Sequence, residues 1–285
     1  MTRPAEKRHL YDPTGRFYAA PDWVLAQAGR DPNEVVWLPA VSTILDIYQH
    51  PSLRNWYGRV GIVEAERVRD QAGIWGTQAH SLIEYMMKGN KIDSETWNGI
   101  PDPVKNSLRA WVRWLQATRF KPAHAEKVVC SLKYGYAGTL DAIGEFGKMW
   151  GMADWKTGKG LFPSALGFMQ IAAYHRAFHE TYPNHPRIKQ ARLVGLNRET
   201  GDFQQQIRSA KQITHDFHHF MYGMKLWRYI KAPDDVEARD QAIREKGGDN
   251  AKEEPQRQEA TRGQAGNGAG QQILSTAPAE ATSYA

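Results

Sequence analysis

Apolar residues recur with a helical period over the first half of the chain and alternate over much of the second. Ser42 reads as the cap of a helix from Thr43 to Gln49, stopped by His50-Pro51. Trp56, Val60, Val63 and Val68 predict a helix over Leu53–Gln71, and a further one runs from Ile74 to Lys88, ended by Gly89-Asn90. The spacing of Val104, Leu108, Trp111, Val112 and Leu115 predicts a helix over Pro101–Phe120. From Glu126 the period drops to two. A strand over Glu126–Lys133 is followed by a hairpin over 139–156, turning at Gly147-Lys148. Ser164 then caps a helix to about His179, and Ile188–Leu196 pairs with Asp202–Arg208 about Arg198-Glu-Thr-Gly. A last helix, Ala210–Ile230, carries the stripe Ile213, Phe217, Phe220, Met224 and Trp227. Five strands among helices predict an α/β (α+β) domain with a mixed, largely antiparallel sheet flanked by helices.

Residues 1–40, rich in Pro, Gly and Asp, read as an irregular arm with a short helix at 22–29. Residues 41–231 read as the folded body, with a helical part over 41–120 and a sheet core over 123–231. Residues 232–285 read as a tail, helical up to about Lys246 and disordered beyond, because 247–285 hold almost no large apolar side chains. Charge follows the same division. The tail has ten acids against six Lys/Arg, a balance of −4, which leaves 31 Lys/Arg against 21 acids, or +10, in residues 1–231. With ten Trp and twelve Tyr in the chain, a basic body suits a polyanionic partner. The single cysteine, Cys130, rules out an internal disulfide and a four-cysteine iron–sulfur cluster, and fits a cytoplasmic setting. No secretory signal and no run of about eighteen apolar residues is present, so no membrane partner is expected.

The richest chemistry lies in the hairpin. A two-residue turn at Gly147-Lys148 sets Asp141 opposite Asp154, and a period of two puts Lys156 on the face of Asp154. Two carboxylates and an ammonium suit a metal-dependent phosphodiesterase; on their own they suit a salt-bridged surface hairpin equally well. His80 and Glu84 share a helix face, as do Gln170 and Tyr174. His175/His179 and His215/His219 have helical spacing without a metalloprotease motif. Thr157-Gly-Lys-Gly lacks the earlier glycine of a phosphate loop, which removes a bound nucleotide from the reading.

Taken in order, Gly76-x₃-His80-x₃-Glu84, Glu126, Gly138-Thr-Leu-Asp141, Asp154-x-Lys156 and Gln170-x₃-Tyr174 resemble the RecB-like branch of the PD-(D/E)XK nuclease superfamily, which includes phage-encoded and CRISPR-associated exonucleases. Val41-Ser-Thr-Ile-Leu and Pro51-Ser-Leu-Arg-Asn-Trp56 look like the entry segment of the phage members. The resemblance covers about residues 40–180 and implies a restriction-endonuclease-like core. It further implies that His80, Asp141 and Asp154 bind Mg²⁺ or Mn²⁺, with the Trp155 main-chain carbonyl as a further ligand. Lys156 would be the catalytic lysine, Glu126 and Glu84 supporting acids, and Gln170 and Tyr174 DNA-binding or orienting groups. Leu140 replaces the proline of the superfamily's name, and the cluster-binding cysteines of many relatives are absent.

The expected activity is a phage-type DNA exonuclease leaving 5′-phosphates. A structure-specific endonuclease with the same site and a catalytically silent DNA-binding recombination adaptor are the alternatives. DNA, as linear duplex or single strand, is the expected partner, an oligomer is compatible with it, and the acidic tail suits contact with a single-strand annealing protein.

Overall fold

The computed structural model describes residues 11–48, 51–159 and 164–257. The stretch read as an irregular arm contains β1 (Phe17–Ala19), α1 (Asp22–Gln27) and β2 (Trp37–Pro39), and β1 and β2 pair antiparallel. Next come α2 (Val41–Leu45), α3 (Pro51–Val60), α4 (Ile62–Met87), α5 (Ser94–Gly99) and α6 (Asp102–Thr118). The sheet strands are β3 (Phe120–Ser131), β4 (Tyr136–Phe146) and β5 (Met149–Gly158), then α7 (Ala165–Thr181) leads to β6 (Gln190–Asn197) and β7 (Phe203–Ser209). Helices α8 (Ala210–Ile230) and α9 (Ala232–Arg257) complete the described chain. Up to Ile243 the described residues form one compact unit; residues 244–257 belong to a second, and are helical throughout. No described helix is long and apolar enough to cross a membrane.

Several helix boundaries differ from the sequence reading. Helix α2 starts at Val41 behind Ala40, not behind Ser42, because Ala40 is tied to Arg16 O by its N–H and bridges Ala137. The expected end at Gln49 lies outside the described residues. The break between α3 and α4 falls at Gly61, whose φ of 81° a side chain would resist, while Gly73 stays inside α4. Helix α9 continues past Lys246 to Arg257, through Gly247, Gly248 and Pro255, so helix propensity does not account for its length. The disorder expected over 247–285 is therefore not found for 247–257, and its remainder, 258–285, lies outside the described residues.

Strands β3-β4-β5-β6-β7 form a five-stranded sheet in that order; only the β5–β6 pair is parallel. This is the mixed, mostly antiparallel sheet with flanking helices that a restriction-endonuclease-like core requires. The β4–β5 register is the expected one, from Phe146–Met149 at the turn to Ala142–Ala153. Of the two turn residues only Gly147 has positive φ, at 66°, as a Gly-X turn demands. One layer of core joins the sheet to α2, α7 and α8 through residues such as Ile143, Met152, Phe168 and Phe220. The other packs against α4 and α6, where Trp114 meets Phe120, Phe146 and Trp155 at ring distances of 5.2, 5.9 and 5.0 Å. Locking the Trp155 ring there turns its neighbours Asp154 and Lys156 to the opposite face.

The return from α7 to β6 is pinned by histidines. His179 Nε2 accepts the Ile188 N–H at 3.2 Å, and His175 Nε2 lies 3.1 Å from the Ile188 carbonyl oxygen. Burial, then the neighbouring His175, His185, Arg187 and Arg176, push the His179 pKa down to about 4. The folded state thus holds His179 neutral, while the unfolded chain takes a proton near the ordinary 6.5. Its stabilising contribution is complete above that pH and is lost as pH falls toward 4. Urea unfolding between pH 7.5 and 4.5 should show a steeper acid loss for wild type than for His179→Gln. Equal slopes would contradict the assignment.

Candidate metal centre

Three strands bring their acids to one level. Pairs Ala125–Ala142 and Lys127–Leu140 bracket Glu126 opposite Asp141, and Asp154 follows the last β4–β5 pair at the position opposite Asp141. The β4–β5 ladder stops there because the Asp141 carboxylate takes the Trp155 N–H, at 2.6 Å from Oδ2. In a strand, N–H and C=O of one residue leave the same edge, so the Trp155 carbonyl also points toward β4. Glu126 sits at φ 46°, a left-handed conformation costing about 1–3 kcal/mol that sequence gives no sign of.

Helix α4 supplies the imidazole. His80 Nδ1 lies 3.4 Å from Asp141 Oδ1 and 3.8 Å from Glu126 Oε1. The helix can come this close because residue 76 is glycine: a Cβ there would stand 3.1 Å from Thr157 Oγ1 on β5. His80, Glu126 and Asp141 each offer a ligand atom within 4.8 Å of the others. Asp154, the expected third ligand, lies outside that trio, and its Oδ2 meets the Lys156 Nζ at 2.7 Å. Glu126, expected as a supporting acid, stands in the front row instead. Glu84 lines the same groove but pairs with Lys88 at 2.6 Å.

Beside the trio runs a polar chain. Lys156 Nζ donates to Gln170 Oε1 at 2.7 Å, and Gln170 Nε2 donates to Tyr174 OH at 2.8 Å. Tyr174 is buried and its ring lies on Gly138, where a Cβ would run into ring atom Cε1. Gly138 is therefore a packing requirement of the lysine clamp, a role its place in a motif alone did not reveal.

The charges are mutually adjusted. Burial works against the charged His80, but the Asp141 and Glu126 carboxylates outweigh it and lift its pKa to about 10. Asp141 is held below the usual range: burial opposes its ionisation, and His80, Lys156 and the Trp155 N–H more than compensate. Burial pushes Asp154 up to about 6 despite Lys156, and raises Glu126 as well. Burial opposes the charge on Lys156, yet Asp154 and Asp141 raise its pKa and hold the half-exposed amine as an ammonium. Two carboxylates beside one imidazole fit a hard divalent cation, which would replace the proton that His80 shares with them.

No family model matches the chain, and no curated protein matches it. Among solved structures, that of SSO0001 is 14% identical with a TM-score of 0.32, over 64% of this chain and 74% of that one. An alkaline exonuclease (LHK-Exo) from Laribacter hongkongensis is 11% identical with a TM-score of 0.29, over 76% of this chain and 99% of its own. At these scores the likeness decides nothing, and a functional reading has to rest on the side chains.

The Gly138–Tyr174 contact can be measured. Gly138→Ala should cost about 1–3 kcal/mol in urea unfolding. In a Tyr174→Leu background most of that cost should vanish, leaving a strong non-additive coupling. Additive losses would show that the two residues do not share the space described.

Proposed function

We propose that this chain is a divalent-metal-dependent DNA nuclease of the RecB-like PD-(D/E)XK type, acting as an exonuclease. The observation that carries the reading is the convergence of His80, Glu126 and Asp141 beside the Asp154–Lys156–Gln170–Tyr174 chain. A surface hairpin does not need a lysine held between a carboxylate only 3% exposed and a helix glutamine that itself bonds a buried tyrosine. The +10 balance of residues 1–231 supports a polyanionic substrate.

His80, Glu126 and Asp141 would hold Mg²⁺ or Mn²⁺, with Asp154 and the Trp155 carbonyl adjacent. When bound, that cation supplies a lowered pKa for water and neutralises charge on the scissile phosphate. The residues do the rest. Asp154 and Gln170 fix the Lys156 ammonium, which donates toward the attacking water or a phosphate oxygen. Hydroxyl from water joins phosphorus, the bond to the 3′-oxygen breaks, and that oxygen takes up a proton; the 5′-phosphate remains. Gln170 and Tyr174 keep the amine from swinging away.

Digestion of end-labelled linear duplex tests this. Wild type should degrade it with Mg²⁺ or Mn²⁺, stop in chelator, recover on metal addition, and spare closed circles. Asp141→Asn and Lys156→Ala should each lose on the order of 100-fold or more in rate. Unchanged rates in both variants would refute the assignment.

A further inference from the structure

Helix α7 has a second polar side. With 3.6 residues per turn, His175, Arg176 and His179 project away from the Gln170–Tyr174 edge that serves Lys156. They line a cavity of about 300 Å³ with His185 and Arg187 from the α7–β6 loop. Five basic side chains converge there, and no carboxylate among the described residues lines it. Ile213 and Phe217 of α8 supply an apolar wall, with the Thr214 side chain beside them.

The wall is built, not incidental. Both backbone groups of Ile188 are taken by His175 and His179, which fixes the loop carrying His185 and Arg187. Because His179 Nε2 accepts an N–H, its proton sits on Nδ1, leaving a free donor. His185 Nδ1 donates to the Pro186 carbonyl oxygen at 2.8 Å, while its buried Nε2 has no hydrogen-bond partner among the described residues. Arg176 donates to the Tyr134 hydroxyl at 3.1 Å and lies 5.7 Å from the Phe217 ring centroid. Neither Arg176 nor Arg187 pairs with a carboxylate among the described residues. His175 and His179 are kept neutral by burial and by this uncompensated positive charge.

Concentrated guanidinium and imidazole groups without a counter-ion call for an anion, and the adjoining apolar wall calls for an organic part. At about 300 Å³ the cavity lies at the small end of ligand pockets. We propose that it is a second ligand site, separate from the metal centre, for a phosphate monoester, with Arg176 and Arg187 on the phosphoryl oxygens and Ile213 and Phe217 against the remainder. The assignment stands on this cavity alone and does not rest on the nuclease reading.

Calorimetric titration in chelator tests it, using inorganic phosphate, a deoxynucleoside 5′-monophosphate, and oligonucleotides with and without a 5′-phosphate. Wild type and Asp154→Asn should each bind one equivalent of the mononucleotide or of the 5′-phosphorylated oligonucleotide. Arg187→Gln should bind it about tenfold more weakly or worse, with an unchanged urea midpoint because Arg187 is exposed. Lys211→Gln, an exposed charge outside the cavity, should bind as wild type. Tighter binding of the mononucleotide than of phosphate identifies a free nucleotide as the ligand, and binding confined to the 5′-phosphorylated oligonucleotide identifies a DNA end; either supports the site. Absence of saturable binding by all probes, equal binding in Arg187→Gln, or loss in Asp154→Asn would overturn it.

Discussion

A side-chain period of two leaves no tolerance in the register of β4 against β5. A slip of one residue would carry Asp154 and Lys156 to the face now filled by Trp155, and the Trp155 ring into the polar groove. Two features forbid the slip. Gly147 supplies the positive φ that closes the turn in two residues, and the Trp111–Trp114–Trp155 cluster anchors the far face. That alignment sets Asp154 level with Asp141 and aims Lys156 at α7, while the β3–β4 register sets Glu126 opposite Asp141.

Gathering these groups is expensive. Buried carboxylates prefer to neutralise, and Glu126 adopts a backbone conformation that β-strand residues avoid. The fold compensates locally: the Trp155 N–H and His80 serve Asp141, and Lys156 serves Asp154. This is a site held together by opposite charges. The same economy is absent from the α7–β6 cavity, which no carboxylate among the described residues lines.

The sheet, its strand pairing and the long helices α6, α7 and α8 were legible because each has a clear period, with Ser164 capping α7 and Gly147 closing the hairpin. The break at Gly61 was not, since Gly61 and Gly73 look alike until tertiary packing decides which one stays helical. The small sheet of β1 and β2 was hidden because strands of three residues are too short to show alternation. In the site, residue types and spacings pointed to His80, Asp141, Asp154, Lys156, Gln170 and Tyr174, which the structure brings to one region. The prominence of Glu126 over Asp154 in the trio was not legible, because neither the left-handed backbone at Glu126 nor the pairing of Asp154 with Lys156 shows in the spacing. The cavity behind α7 joins residues from a helix face, a loop and a second helix, a convergence that no linear motif encodes.

Manganese binding, followed by calorimetry and by electron paramagnetic resonance on the metal-free protein without DNA, bears most directly on the central claim. The account predicts saturable uptake that weakens about 10- to 100-fold when either His80 becomes Ala or Glu126 becomes Gln. Uptake indifferent to both substitutions would place the ion elsewhere and contradict it.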